Sequence, residues 1–214
     1  MVATIGVLAL QGGYEAHARV LHRLGAVVLE VRVPAHLQGL DGLIIPGGES
    51  TTMTIGVERE RLAQPVRALA RAGLPMFGSC AGMIMLDREH LGVMDIAVER
   101  NAFGRQINSF EADLELGPDR ELDGLAEGPV RAVFIRAPWI VEHGPEVEVL
   151  ARVDGHPVAA RQGHVLAVAF HSELADDDRL HRLFLGWARA YARAGGASEA
   201  GGSGGLARSR ASQP

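Results

Sequence analysis

The chain opens on an unbroken apolar run, Thr4 to Leu10, rich in aliphatic and β-branched side chains. Continuous rather than alternating hydrophobicity predicts a strand covered on both faces. Gln11-Gly12-Gly13 makes a turn, and Tyr14 to Leu24 returns at helical spacing, with Val20, Leu21 and Leu24 on one face and Gly25 as its cap. Ala26 to Val33 predicts a second strand ended by Pro34, and Leu43-Ile44-Ile45 a third, closed by Pro46-Gly47-Gly48. Glu49-Ser50-Thr51-Thr52 supplies helix-start chemistry, and the helical region that follows carries Leu62, Val66 and Leu69 before Gly73 stops it. A fourth short apolar run ends at Gly78, Cys80 sits at the bend, and a helical pattern follows Gly82.

Strands and helices alternating at this spacing predict an α/β fold with a mostly parallel central sheet flanked by helices. In such a fold, sites form at the carboxyl ends of strands, and Gln11-Gly12-Gly13, Gly47-Gly48 and Cys80 all fall at such ends. The second half is strand-like over Val93 to Val98, Arg105 to Leu116, Val130 to Ile135, Val147 to Val153, Pro157 to Ala160 and Val165 to Phe170. Part of it is expected to extend the sheet in antiparallel fashion. Asp176 to Ala194 is an amphipathic closing helix with Leu180, Leu183, Phe184 and Trp187 inward. Residues 1–194 are expected to form one domain, and the Gly/Ser-rich stretch 195–214 a flexible tail without core residues.

Composition narrows the function classes. A length of 214 residues supports one substantial core. The net charge of −5 offers no basic surface for nucleic acid. A single cysteine excludes an internal disulfide and a cysteine-rich metal site and fits a reducing compartment. The first apolar run lacks a basic leader and enters a turn instead of a cleavage site, and no stretch reaches the ~20 apolar residues that span a bilayer. The expectation is a cytoplasmic chain with no membrane partner and no metal.

The candidate chemistry centres on Cys80. Gly78 and Gly82 flank it, as glycines flank the nucleophile in the Gly-x-Ser-x-Gly elbow, with cysteine in place of serine. A thiol at a helix N-terminus is favoured as thiolate; the plainer reading is a small buried hydrophobe. A nucleophilic cysteine needs a base and a group to orient it. His171 follows the strand Val165 to Phe170, and Glu173 lies two residues on, on the same side of an extended backbone. The other eight histidines, His17 and His181 among them, fall on predicted helix surfaces or in loops and form no metal-ligand spacing. Pro46-Gly47-Gly48 reads as an ordinary turn or, with the Ala81 N–H, a two-donor oxyanion hole; a phosphate loop is a weaker alternative, since neither Gly-x-x-x-x-Gly-Lys-Ser/Thr nor Gly-x-Gly-x-x-Gly is present.

With these residues in place the chain resembles class I glutamine amidotransferases, a flavodoxin-like α/β family, and more narrowly the glutaminase subunits of pyridoxal 5′-phosphate synthase. The resemblance rests on Ile5-Gly-Val-Leu-Ala-Leu-Gln-Gly12, Leu43-Ile-Ile-Pro-Gly-Gly-Glu-Ser-Thr-Thr-Met53, Phe77-Gly-Ser-Cys-Ala-Gly82, Glu99-Arg-Asn-Ala-Phe-Gly-Arg-Gln106, Ser109-Phe-Glu111, Phe134-Ile-Arg-Ala-Pro138 and Phe170-His-Ser-Glu-Leu174. It implies a triad of Cys80, His171 and Glu173, and an oxyanion hole at Gly48 and Ala81. Glutamine contacts are implied at Gly48, Glu49, Ser50, Arg100, Ile135 and Arg136. It further implies hydrolysis of L-glutamine to glutamate and ammonia without metal or cofactor. The ammonia would pass to a synthase subunit in a hetero-oligomer, with little activity until that subunit docks. Two departures stand out: Ser172 replaces the proline usual between the histidine and the glutamate, and the connection Asp87 to Leu91 is short. Alternative readings are a stand-alone γ-glutamyl hydrolase and a non-catalytic binding module with a redox-sensing cysteine.

Overall fold

The continuous apolar runs form the middle of a seven-stranded sheet in the computed structural model, which describes residues 2–103, 109–117 and 128–195. Thr4–Leu8 (β1), Val27–Val31 (β2), Gly42–Ile45 (β3) and Met76–Ser79 (β4) pair in parallel with one another, and β4 pairs in parallel with Val165–Val168 (β11). His156–Gln162 (β10) and Glu148–Val153 (β9) continue the sheet antiparallel, giving the order β2-β1-β3-β4-β11-β10-β9. The sheet is therefore mainly parallel with an antiparallel extension, as the patterning predicts.

Four more strands stand apart as two ribbons, Ile96–Glu99 (β5) with Trp139–His143 (β8) and Ser109–Leu114 (β6) with Val130–Ile135 (β7). Strand β8 has no counterpart in the sequence reading. Its exposed Val141 beside buried Ile140 breaks the alternation that would have announced it. The predicted strand over Arg105 to Leu116 begins at Ser109, and Arg105 to Asn108 lie outside the described residues, as does the tail from residue 196.

Helices Tyr14–Arg23 (α1) and Arg179–Arg193 (α5) cover one face, and Ala81–Leu86 (α4) with Ser50–Arg59 (α2) covers the other. The alternation along β4 makes this explicit. The Phe77 ring meets His17 of α1 and His181 and Phe184 of α5, while a Cβ on Gly78 would lie 2.6 Å from the Gly82 carbonyl of α4. Glycine at 78 and 82 thus lets α4 lie directly on β3 and β4. The single helical region expected after Glu49 is two helices, because Arg61 adopts a left-handed φ of 57° and turns the chain into Ala63–Arg71 (α3).

Candidate active site

Cys80 links β4 to α4 with φ 50° and ψ −107°, a conformation that costs a non-glycine residue about 1–3 kcal/mol. The surroundings hold it there: its N–H donates to the Val168 carbonyl of β11 at 2.8 Å, and its Sγ lies 3.9 Å from the Ile135 carbonyl. His171 follows β11, the neighbour of β4, and its N–H donates to the Val133 carbonyl of β7 at 2.8 Å. Adjacent parallel strands therefore deliver the thiol and the imidazole to one end of the sheet.

His171 Nδ1 pairs with Glu173 Oε1 at 2.7 Å, leaving Nε2 for the Cys80 side. The backbone between them is not extended, as the sequence reading assumed. Ser172–Leu174 forms a single 3-10 turn, and the short carboxylate arm folds back to make the contact. Burial works against a charged His171, but the pull of the Cys80 and Glu173 side chains outweighs that and raises its pKa to about 10. Burial likewise works against an ionised Glu173, yet His17 and His171 favour the anion and hold it below the usual carboxylate range.

Two glycines let the loops close around this pair. A Cβ on Gly47 would strike the His171 ring and come within 3.3 Å of the Cys80 Cβ. Gly12, at φ 89°, would strike the Gly47 carbonyl if it carried a side chain. The Gly47 carbonyl accepts from the Gly13 N–H at 2.9 Å, so the Gly48 N–H lies on the opposite side of that trans peptide.

A cavity of about 400 Å³ opens over Cys80 and His171, the size of a small-molecule site. Gly48, Glu49, Ser50, Arg100, Ile135 and Arg136 all line it, as does Ala81 at the start of α4. Glu173 stands behind His171, outside the lining. Asn101 and Arg136 join Cys80 at positive φ around this cavity, so three of the five such non-glycine residues among the described residues border it. The Glu49 carboxylate caps α2, accepting from Thr51 N–H, Thr52 N–H and the Thr52 hydroxyl. Those bonds, Thr52's foremost, hold its pKa at about 2, and Arg100 stands 3.5 Å away. Its side chain is thus a fixed negative rim of the cavity.

The structure overturns the placement of His17 and His181 on helix surfaces: both are 0% exposed. His17 Nε2 lies 2.9 Å from Ser79 Oγ and 3.3 Å from Glu173 Oε2, and His17 Nδ1 lies 2.9 Å from His181 Nε2. The signal was available in the spacing. His17 shares a helical face with Val20 and Leu21, and His181 with Phe184 and Leu185. Among the described residues no group of three or more His, Cys, Asp or Glu side chains is placed to hold a metal ion.

A parallel sheet with a cysteine elbow at one strand end and an imidazole–carboxylate pair at the next is the architecture of glutamine amidotransferases. A solved structure described as a glutamine amidotransferase superposes with a TM-score of 0.78 at 47% identity, over 86% of this chain and 98% of its own. Residues 7–188 match the SNO glutamine amidotransferase family, and the chain belongs to that family. Its relatives include the pyridoxal 5′-phosphate synthase subunit PdxT of Frankia alni, 53% identical over 85% of this chain and 92% of that protein. The PdxT subunit of Pelotomaculum thermopropionicum is also 53% identical, over 85% and 93%.

Proposed function

We propose that this chain is the glutaminase subunit of a pyridoxal 5′-phosphate synthase. It hydrolyses L-glutamine to L-glutamate and ammonia, and a synthase subunit consumes the ammonia in making the vitamin B6 cofactor. The observation that carries the reading is the convergence of Cys80, the His171–Glu173 pair, Arg100 and Arg136 on one cavity. Relatives that carry the PdxT name at about half identity supply the reaction's destination.

In this mechanism the Cys80 thiolate adds to the side-chain amide carbon of glutamine. The Gly48 and Ala81 N–H groups receive the oxyanion, and an arginine at the cavity wall holds the α-carboxylate. His171 Nε2 gives its proton to the amide nitrogen, the C–N bond breaks, and ammonia leaves a γ-glutamyl thioester. His171, now neutral, takes a proton from water as its oxygen adds to the thioester, and breakage of the C–S bond frees glutamate and restores the thiolate. Glu173 holds the ring and stabilises the imidazolium throughout. No step calls on a metal or cofactor. Among the described residues no helix is long and apolar enough to cross a membrane, in keeping with work in the cytoplasm beside a soluble synthase.

The experiment is ammonia release from glutamine by the pure chain, alone and mixed with a synthase subunit. The expected result is a weak rate alone and a large increase in the complex. Equal rates with and without the partner would overturn the coupling, and no glutamate in either sample would overturn the activity.

A further inference from the structure

Behind the catalytic pair, on the face away from the cavity, lies a polar chain that the reaction as written does not use. It runs from His181 through His17 to Ser79, and both imidazoles are wholly buried. Ser79 Oγ also accepts the Gly47 N–H at 3.1 Å. One imidazole therefore touches Glu173 directly and reaches the Gly47-Gly48 loop through a single hydroxyl.

The proton positions follow from what His17 turns towards the Glu173 carboxylate. Glu173 Oε2 makes no hydrogen bond of good geometry among the described residues, and neither does His181 Nδ1. If His17 carried its proton on Nδ1 it would donate to His181 Nε2, and His181 would carry a buried Nδ1–H with nothing to receive it. That is the expensive kind of orphan. His17 Nε2 would then also turn a lone pair towards the carboxylate. The reverse arrangement also leaves one hydrogen unmatched, the Ser79 O–H, because Ser79 Oγ then accepts from both His17 Nε2–H and the Gly47 N–H, but it turns an N–H instead of a lone pair towards the Glu173 carboxylate 3.3 Å away. His181 Nε2–H donates to His17 Nδ1, and His17 Nε2–H points to Ser79 Oγ with Glu173 Oε2 on its flank. The groups facing this pair are Glu173, His171 and Arg23. Burial outweighs them and pushes both histidines down, His181 to about 3, so both are neutral. His17 accordingly favours the Glu173 anion through its N–H dipole, not through a full charge.

We propose that His17 is a positioning residue for glutamine hydrolysis: its Nε2–H, set by His181, orients Glu173 behind His171 and, through Ser79, anchors the Gly47 peptide beside the oxyanion site. This rests on the triad assigned above. Its loss would misplace the base and the oxyanion donors together, lowering the rate of the chemical step more than glutamine binding.

Two measurements test it. Imidazole ¹⁵N NMR of the full chain should show His17 and His181 as neutral Nε2–H tautomers from pH 5.5 to 8.5. An Nδ1–H tautomer at His17, or titration in that range, would overturn the assignment. Steady-state kinetics of the complex should show His17→Leu lowering kcat on the order of 10-fold to 100-fold with KM within about twofold. His17→Gln, whose amide N–H reaches the Nε2 position, should recover most of that loss. Wild-type kcat in His17→Leu, or no better rate in His17→Gln, would reduce His17 to a packing residue. Should His17→Leu not fold, His17→Gln against His17→Asn decides, since the shorter amide reaches only the Nδ1 position and equal rates would refute the proposal. His171→Asn separates the two levels: turnover that survives it sinks the triad, whereas its loss beside an unaffected His17→Leu sinks only the role of His17.

Discussion

Strands β4 and β11 have a cavity at each end, and the two differ in everything but size. At the amino ends, Gly73, Leu74, His164 and Val165 border a space of about 370 Å³ that also takes in Arg67 and Gln162. At the carboxyl ends, Cys80 and His171 border one of about 400 Å³. Volume alone does not distinguish them. The first contains no nucleophile, its glycines take the left-handed turns, and the Arg67 guanidinium is committed to the Leu91 and His90 carbonyls. At the second, a cysteine, an asparagine and an arginine adopt positive φ, and an imidazole is pulled far from its ordinary pKa. The lesson is that a parallel sheet creates hollows at both ends, while strain and converging titratable groups collect at the carboxyl end.

Substitutions at the two ends should separate by orders of magnitude. Cys80→Ala and His171→Asn are each expected to lower glutamine turnover in the complex by 10⁴-fold or more, on the order seen when a member of a nucleophile–base pair is removed. His164→Ala, at the opposite cavity, should leave turnover within about twofold, and a comparable loss there would erase the contrast. Gly47→Ala comes next. A methyl group where the loop meets His171 and Cys80 displaces the Gly47–Gly48 peptide proposed as an oxyanion donor, so kcat should fall by about 10²–10³-fold. A smaller effect is expected from Arg100→Ala and Arg136→Ala, which should raise KM for glutamine about tenfold if either pairs with the α-carboxylate.

The pH dependence of stability sharpens the same comparison. His171 has its pKa raised from 6.5 to about 10, so the folded chain holds that proton more tightly than the unfolded chain does. The resulting stabilisation is complete below pH ~6.5 and disappears as pH rises through about 10. The chain contains no lysine, which leaves few other groups titrating there. Urea midpoints should fall between pH 7 and 10.5, and His171→Asn should flatten that fall. The smallest effect is expected at Ser172, whose buried hydroxyl has no hydrogen-bond partner among the described residues. It opens a 3-10 turn, and His171 before it lies outside the helical region, at φ −98° and ψ 87°. Ser172→Pro should therefore stabilise the chain by about 0.4–1 kcal/mol, readable as a higher urea midpoint with unchanged turnover.

How much was legible depended on whether a signal was local. Thr4 to Leu10, Leu43 to Ile45 and the elbow at Cys80 announce parallel strands and their turns through apolar runs and glycine placement, all within about ten residues. The break between α2 and α3 was missed because Arg61 carries no mark of a left-handed turn. The residues expected at the cleft do line one cavity, apart from Glu173 behind it. The Glu49 carboxylate, however, is bound into a helix cap instead of standing free, because Thr51 and Thr52 lie within its reach. The helical spacing of His17 and His181 marks them as buried but does not say what they do, because each one's partner lies on a helix at the other end of the chain.

The parallel strands of the first half, the elbow and the identity of the chemical groups were written in short-range patterns, since hydrophobic period and turn chemistry act over a few residues. The pairing of β4 with β11, the pull on the His171 proton and the neutral histidine pair behind Glu173 came only with the tertiary structure. These depend on distances between segments far apart in the chain and on the low-dielectric interior that packing creates.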